Sequence, residues 1–313
     1  MILQREVKQL KKMSYLKKGD VVDIIAPASR CEESILNQTQ DILSTWGLHS
    51  RIAANIFADD LLCANTDENR FQQLKEALLN NISQAVWCIR GGYGSARLMP
   101  ALAKIKIPSP QKLFIGFSDA TVIHLFLQKC WGWSTLHGPS LRQIALNTLQ
   151  EDSIQNLKKI LFQEVNSFCL ENLKPLNQFA KKESIIRSVV TGGNLSIIQT
   201  SIGTPWQMNA IEKIILIEDV NEPAYRIDRM LTHFSQANLF EKAKALLIGD
   251  LTGGKESDEQ SSIEQTLQQF SEKMPIPVLR INGVGHGKSN QPIILNHAVT
   301  LKTGLACSLR FDI

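Results

Sequence analysis

Short apolar runs set the architecture open to this chain. Each is stopped by Pro, Gly or a polar turn and followed by a longer mixed segment. Residues 21–26 (VVDIIA) stop at Pro27, residues 85–89 (AVWCI) run into Arg90-Gly91-Gly92-Tyr93-Gly94, and residues 112–116 (KLFIG) run into Phe117-Ser118-Asp119. In the second half, residues 213–218 (KIILIE) and 245–249 (ALLIG) repeat the texture. Apolar runs this short between turn signals read as buried strands. Residues 51–54 and 135–136 add short strands. Residues 32–46, 66–79, 96–105 and 119–130 read as helices, with Thr66 or Asp67 capping the second. Strands alternating with helices predict βαβ units around a parallel sheet, an α/β fold.

The texture changes between residues 150 and 185, where polar residues and lysines dominate. One helix near 152–162 and a loop around Pro175 are expected there. A strand at 185–190, a turn at Thr191-Gly192-Gly193-Asn194 and a helix to about residue 201 follow. Further helices are expected at 225–234 and 261–272, with short β segments from 278 onward. With 313 residues, two domains are expected. The plan is an extension over residues 1–16, a first domain over 17–150, a linker over 151–184 and a second domain over 185–313.

Charge is informative through its placement. Residues 1–18 hold six of the 34 basic residues and one of the 30 acidic ones. The remaining body carries 28 bases against 29 acids and is near neutral, which argues against an extended nucleic-acid surface. No stretch approaches the ~20 apolar residues of a membrane helix, so no membrane insertion is expected. The N-terminus lacks the apolar core of a secretory signal, and the six cysteines form no CxxC pair. Both observations predict a cytoplasmic protein with reduced thiols. Neither HExxH nor a Cys/His cluster is present, so no metal and no cofactor is expected.

The segment 113–127 (LFIGFSDATVIHLFL) carries the strongest chemical signal. An apolar strand ends in Gly116-Phe117-Ser118-Asp119-Ala120 and a helix starts at once, the context of a nucleophile elbow with Ala120 in place of the last Gly. Backbone N–H groups at the following helix start favour a developing oxyanion. A serine needs a base. His286, in Gly283-Val284-Gly285-His286-Gly287, stands on a bare loop after a strand. Its surroundings approach a phosphate loop, but Asn282 stands where that pattern needs Gly and no helix follows. His124 reads as a packed residue of the helix after Ser118. For the acid that orients the base, Glu218 and Asp219 end one strand and Asp250 ends another. Position alone leaves the choice open, with Glu218 slightly preferred. The turn at residues 90–94 offers exposed N–H groups for an anion or oxyanion.

Together these segments resemble the LD-carboxypeptidase family of serine peptidases. The resemblance runs from residues 17–29 (KKGDVVDIIAPAS) through 90–97 (RGGYGSAR), 115–121 (IGFSDAT), 137–139 (HGP) and 191–195 (TGGNL). It continues through 216–222 (LIEDVNE) and 225–229 (YRIDR) to 283–287 (GVGHG). It implies Ser118 as nucleophile, His286 as base and Glu218 as the orienting acid. It implies a Rossmann-like N-terminal parallel-sheet domain carrying Ser118 and a mixed α/β C-terminal domain, rich in short strands, carrying Glu218 and His286. The activity implied is removal of the terminal D-alanine from murein tetrapeptide by cleavage of an L,D bond in cell-wall recycling, by a homodimer without cofactor. The N–H groups of Gly92 and Asp119 become the candidate oxyanion donors. Arg90, with Gly91 and Tyr93, becomes the candidate substrate-binding group. Residues 1–16 precede the family-like start. A branch of the same superfamily, the microcin immunity peptidases, stacks a nucleobase on loop aromatics, a role open to Trp206 or to Trp131 and Trp133. A non-catalytic peptide-binding protein of two domains is the reading from a different class.

Overall fold

A computed structural model describes residues 13–254 and 262–313; the basic segment 1–12 lies outside the described residues. Thirteen strands form a continuous ladder among them. The first five are β1 (Val21–Ile25), β2 (His49–Ile52), β3 (Ala85–Cys88), β4 (Leu113–Gly116) and β5 (Thr135–His137). They lie in the order β2-β1-β3-β4-β5, and every pair is parallel. Helices Glu33–Thr45 and Asp67–Leu79 make the first crossovers, the second capped by Thr66, whose side chain accepts the Asn69 N–H. That cap satisfies one of the helix's free donors.

The later strands are β6 (Ser167–Pro175), β7 (Ser184–Asn194), β8 (Ile214–Val220), β9 (Ala245–Thr252) and β10 (Val278–Arg280). The last three are β11 (Ile293–Leu295), β12 (Ala298–Thr303) and β13 (Cys307–Asp312). Strands β7-β8-β9-β10 are parallel; β6, β13 and β12 continue them antiparallel, and β12 pairs back onto β7. The result is a closed seven-stranded ring that leaves none of its own strands as a free edge. Strand β11 joins the halves, antiparallel to β5 and parallel to β7. The architecture is mixed α/β.

Two local expectations change. The stretch 151–184, read as a linker with a loop around Pro175, contains β6, which pairs along its length with β13 and touches β10. Its SFCLENLKP sequence is only partly buried, so no continuous apolar run betrays it. The turn expected at residues 191–194 is the end of β7, in register with β8 through Asn194 opposite Glu218. A Cβ on Gly192 would stand 2.1 Å from the Leu216 carbonyl oxygen, so glycine here serves close strand approach rather than a turn. Of the expected extension, Met13 and Leu16 are buried in the main core, and the Leu16 N–H donates to the Leu161 carbonyl at 2.7 Å.

One apolar cluster runs from Val22 and Trp87 through Leu136 and Ile294 to Leu309, so both halves share a core face. A second cluster lies under the helix Ala224–Gln236, and a third under the helix Thr121–Phe126.

Candidate active site

The carboxyl ends of β4, β8 and β10 converge at the junction of the parallel sheet and the ring. Crevices outside such strand ends are where α/β sheets hold ligands. After β4, Phe117 is extended and Ser118 has φ +60°. A non-glycine residue in that region is strained unless its surroundings fix it, and such strain is common at functional turns. A short 3-10 turn over Ser118–Ala120 then leads into the helix Thr121–Phe126. His124 holds this turn from behind. Its Nε2–H donates to the Gly116 carbonyl at 2.8 Å, and its Nδ1 accepts from the Thr135 hydroxyl at 2.8 Å. The carbonyl can only accept, which fixes the tautomer. Burial depresses the His124 pKa to about 4, so the ring is neutral.

On the facing side, the His286 Nδ1–H donates to Glu218 Oε2 at 2.7 Å. Glu218 is fully buried on β8. This leaves His286 Nε2 with its lone pair as the basic position. Burial lowers the His286 pKa, but the bond to Glu218 and the negative charges of Glu218 and Asp219 outweigh it and raise the net value. Burial pushes the Glu218 carboxyl up, against the pull of the His286 bond. The His286 ring packs on Phe117, the residue before Ser118, with ring centroids 4.7 Å apart.

The two sides are stitched together through β7. Thr121 Oγ1, in the helix after Ser118, accepts the Asn194 N–H at 3.0 Å, and Asn194 is Glu218's ladder partner. The other acid candidates are otherwise engaged. Asp219 accepts from Asn194 Nδ2, from its own strand at Val220 N–H, and from both the N–H and hydroxyl of Ser196. It therefore serves the start of the helix Leu195–Ser201. Asp250 accepts the Gly283 N–H at 3.1 Å and braces the loop that carries His286.

The glycine turn after β3 closes the third side. A Cβ on Gly91 would lie 2.7 Å from Ser118 Cβ and 3.4 Å from the Asp119 nitrogen, so the turn rests directly on Ser118. Gly92 and Tyr93 are exposed, and the Tyr93 N–H donates to Ser29 Oγ at 3.1 Å. Arg90 is half-buried and donates to the Gly91 and Arg30 carbonyls at 3.1 Å each. Two further residues, Phe117 and His137, border the site without a catalytic sequence motif of their own. Phe117 packs on His286. His137 is fully buried, 6.1 Å from Phe117 by ring centroids, with no hydrogen-bond partner at either nitrogen. The position of His137 at the end of β5 was the available signal. Among the described residues no group of His, Cys, Asp and Glu is arranged to hold a metal ion.

This constellation of strand-end serine, acid-oriented histidine and glycine turn can be set against known proteins. The model of the LD-carboxypeptidase N-terminal domain matches residues 22–138, and that of the C-terminal domain matches residues 187–301. The chain belongs to the LD-carboxypeptidase family. A putative carboxypeptidase of Rickettsia conorii is 39% identical over 277 residues, covering 88% of this chain and 85% of that protein. A probable murein peptide carboxypeptidase of Bacillus subtilis is 30% identical, covering 88% and 86%. Among solved structures, muramoyltetrapeptide carboxypeptidase from Oxalobacter formigenes gives a TM-score of 0.81 at 24% identity, covering 94% of this chain and 99% of that one. The microcin C7 self immunity protein MccF gives 0.80 at 17% identity, covering 96% and 98%. Those two likenesses speak for the fold. As a family member the chain is a peptidase with a carboxypeptidase's relatives. Its two matched segments meet where the His286 ring packs on Phe117, the residue before Ser118.

Proposed function

We propose that this LD-carboxypeptidase family member is a cytoplasmic serine carboxypeptidase. Its reaction is removal of the terminal D-alanine from murein tetrapeptide by cleavage of the L,D bond. The observation that carries the reading is the 2.7 Å Glu218–His286 bond beside a serine held at φ +60°. That pairing is the arrangement an activated serine requires.

In this reading His286 Nε2 takes the Ser118 proton as Oγ attacks the carbonyl carbon. The N–H groups of Gly92 and Asp119 donate to the oxyanion and stabilise its charge. Protonated His286 then gives the proton to the departing D-alanine amine. Water, deprotonated by His286, breaks the acyl ester and frees Ser118. Arg90, with Gly91 and Tyr93 beside it, binds the carboxylate of the terminal D-alanine.

A microcin-immunity reading shares the fold and the serine chemistry. The aromatics considered for nucleobase stacking speak against it here. Trp131 and Trp133 are buried in the core beneath the helix Thr121–Phe126, and Trp206 packs on the same cluster. The test incubates the protein in parallel with murein tetrapeptide and a peptidyl-adenylate analogue. Release of D-alanine from the first, with the second intact, is expected. Cleavage of the adenylate alone would favour the other branch.

A further inference from the structure

Asp119 follows Ser118, and its side chain is buried, yet the chemistry above uses only its backbone N–H. Its Oδ2 accepts the Ser95 N–H at 2.8 Å. Burying a carboxylate is costly unless hydrogen bonds or charge compensate it, so a buried acid bonded to the end of the glycine turn has a structural reason to be there. Burial pushes the Asp119 carboxyl up, and bonding from Ser95, the Arg70 charge and the Gly94 N–H pull it back.

Ser95 directly follows the glycine turn at residues 90–94, and this turn has few other anchors. Gly91 leans on Ser118. The Tyr93 N–H is held by Ser29 Oγ. Gly94 lies against the buried Arg70 guanidinium, which in turn donates to the Asn65 carbonyl at 3.0 Å and to the Pro27 carbonyl. The Asp119 side chain ties the end of this turn, at Gly94 and Ser95, to the nucleophile's own chain neighbour.

We propose that the Asp119 carboxylate is a positioning residue that locks the glycine turn onto the nucleophile turn, holding the Gly92 N–H at a fixed place beside Ser118 Oγ. This rests on the reading of Ser118 as nucleophile and Gly92 as oxyanion donor. The tether makes one rigid body of the atom that attacks and one donor that receives the charge. Small misplacement of such a donor costs rate rather than affinity.

The test is the rate at which a fluorophosphonate labels Ser118, followed by intact-protein mass. In that reaction the Oγ–P bond forms, fluoride leaves and His286 takes the proton, without peptide recognition. Asp119→Ala should label about 100-fold more slowly than wild type, the scale of a lost oxyanion donor. Asp119→Asn keeps an oxygen that can accept the Ser95 N–H and should recover at least about tenfold of that loss. With murein tetrapeptide the Asp119→Ala loss should fall on kcat and leave KM within about threefold, as for an interaction made only in the transition state. In the unmutated protein, the Ser95 amide should be the slowest to exchange with deuterium among residues 90–97. Wild-type labelling rates in Asp119→Ala, no recovery in Asp119→Asn, or fast exchange at Ser95 would each overturn the proposal alone. A wild-type protein that is not labelled at Ser118 would overturn the nucleophile reading and this proposal with it.

Discussion

At the residue scale, the proposed mechanism makes the Glu218–His286 pair set the pH behaviour. His286 must be neutral to act as a base, and its pKa is raised above the ordinary histidine value, so activity should fall as pH drops through that raised value. The acidic limb of kcat/KM should therefore lie above about 6.5. Glu218→Gln removes the negative charge that raises it. The limb should move to lower pH while kcat falls by roughly 10³–10⁴-fold, as when a triad loses its orienting acid. A limb that stays in place would mean Glu218 does not act on His286. Gly91→Ala is a second residue-scale prediction. Its Cβ would stand 2.7 Å from Ser118 Cβ, so the turn or the serine must move. A fall of about 10²-fold in kcat/KM with an unchanged far-ultraviolet spectrum is expected, since a displacement near 1 Å costs about that much. The settings of Ser118 and His286 were legible because a strand–turn–helix switch and a glycine-flanked histidine are local patterns. The carboxylate that meets His286 was legible only as a slight preference for Glu218 and through the resemblance, because Glu218, Asp219 and Asp250 differ chiefly in which partner each meets in space.

At the element scale, the strands bounded by Pro and Gly were readable, since apolar runs and turn residues agree there. Strand β6 was not, because its pairing with β13 supplies through space what its half-polar sequence lacks. The Gly192-Gly193 segment misled for a related reason: its glycines answer to β8 across the ladder, not to a local turn. The helix after Ser118 adds a stability prediction. His124 is buried and neutral with its pKa lowered to about 4, whereas in the unfolded chain it titrates near about 6.5. Above the unfolded value neither state is protonated and no stability is lost. As pH falls below it, the unfolded state binds the proton first and is favoured, so stability drops from about 6.5 down to about 4. Thermal midpoints measured over that window should fall less steeply in His124→Gln than in wild type. Equal slopes would show that His124 is not the group responsible.

At the scale of the whole molecule, the junction is the fold's seam and the place of the proposed site. Strand β11 comes from the second half yet pairs with β5 of the first, and one core face runs through both. Residues 17–150 expressed alone should therefore lack a cooperative thermal transition by calorimetry, while the full chain unfolds in one. A sharp transition in the fragment would show that the first half is self-sufficient. The measurement that bears most directly on the account is the rate of D-alanine release from murein tetrapeptide by wild type and by Ser118→Ala, at equal protein concentration. The account predicts steady release by wild type and a fall of at least about 10³-fold in the variant. Undiminished release by Ser118→Ala would contradict it.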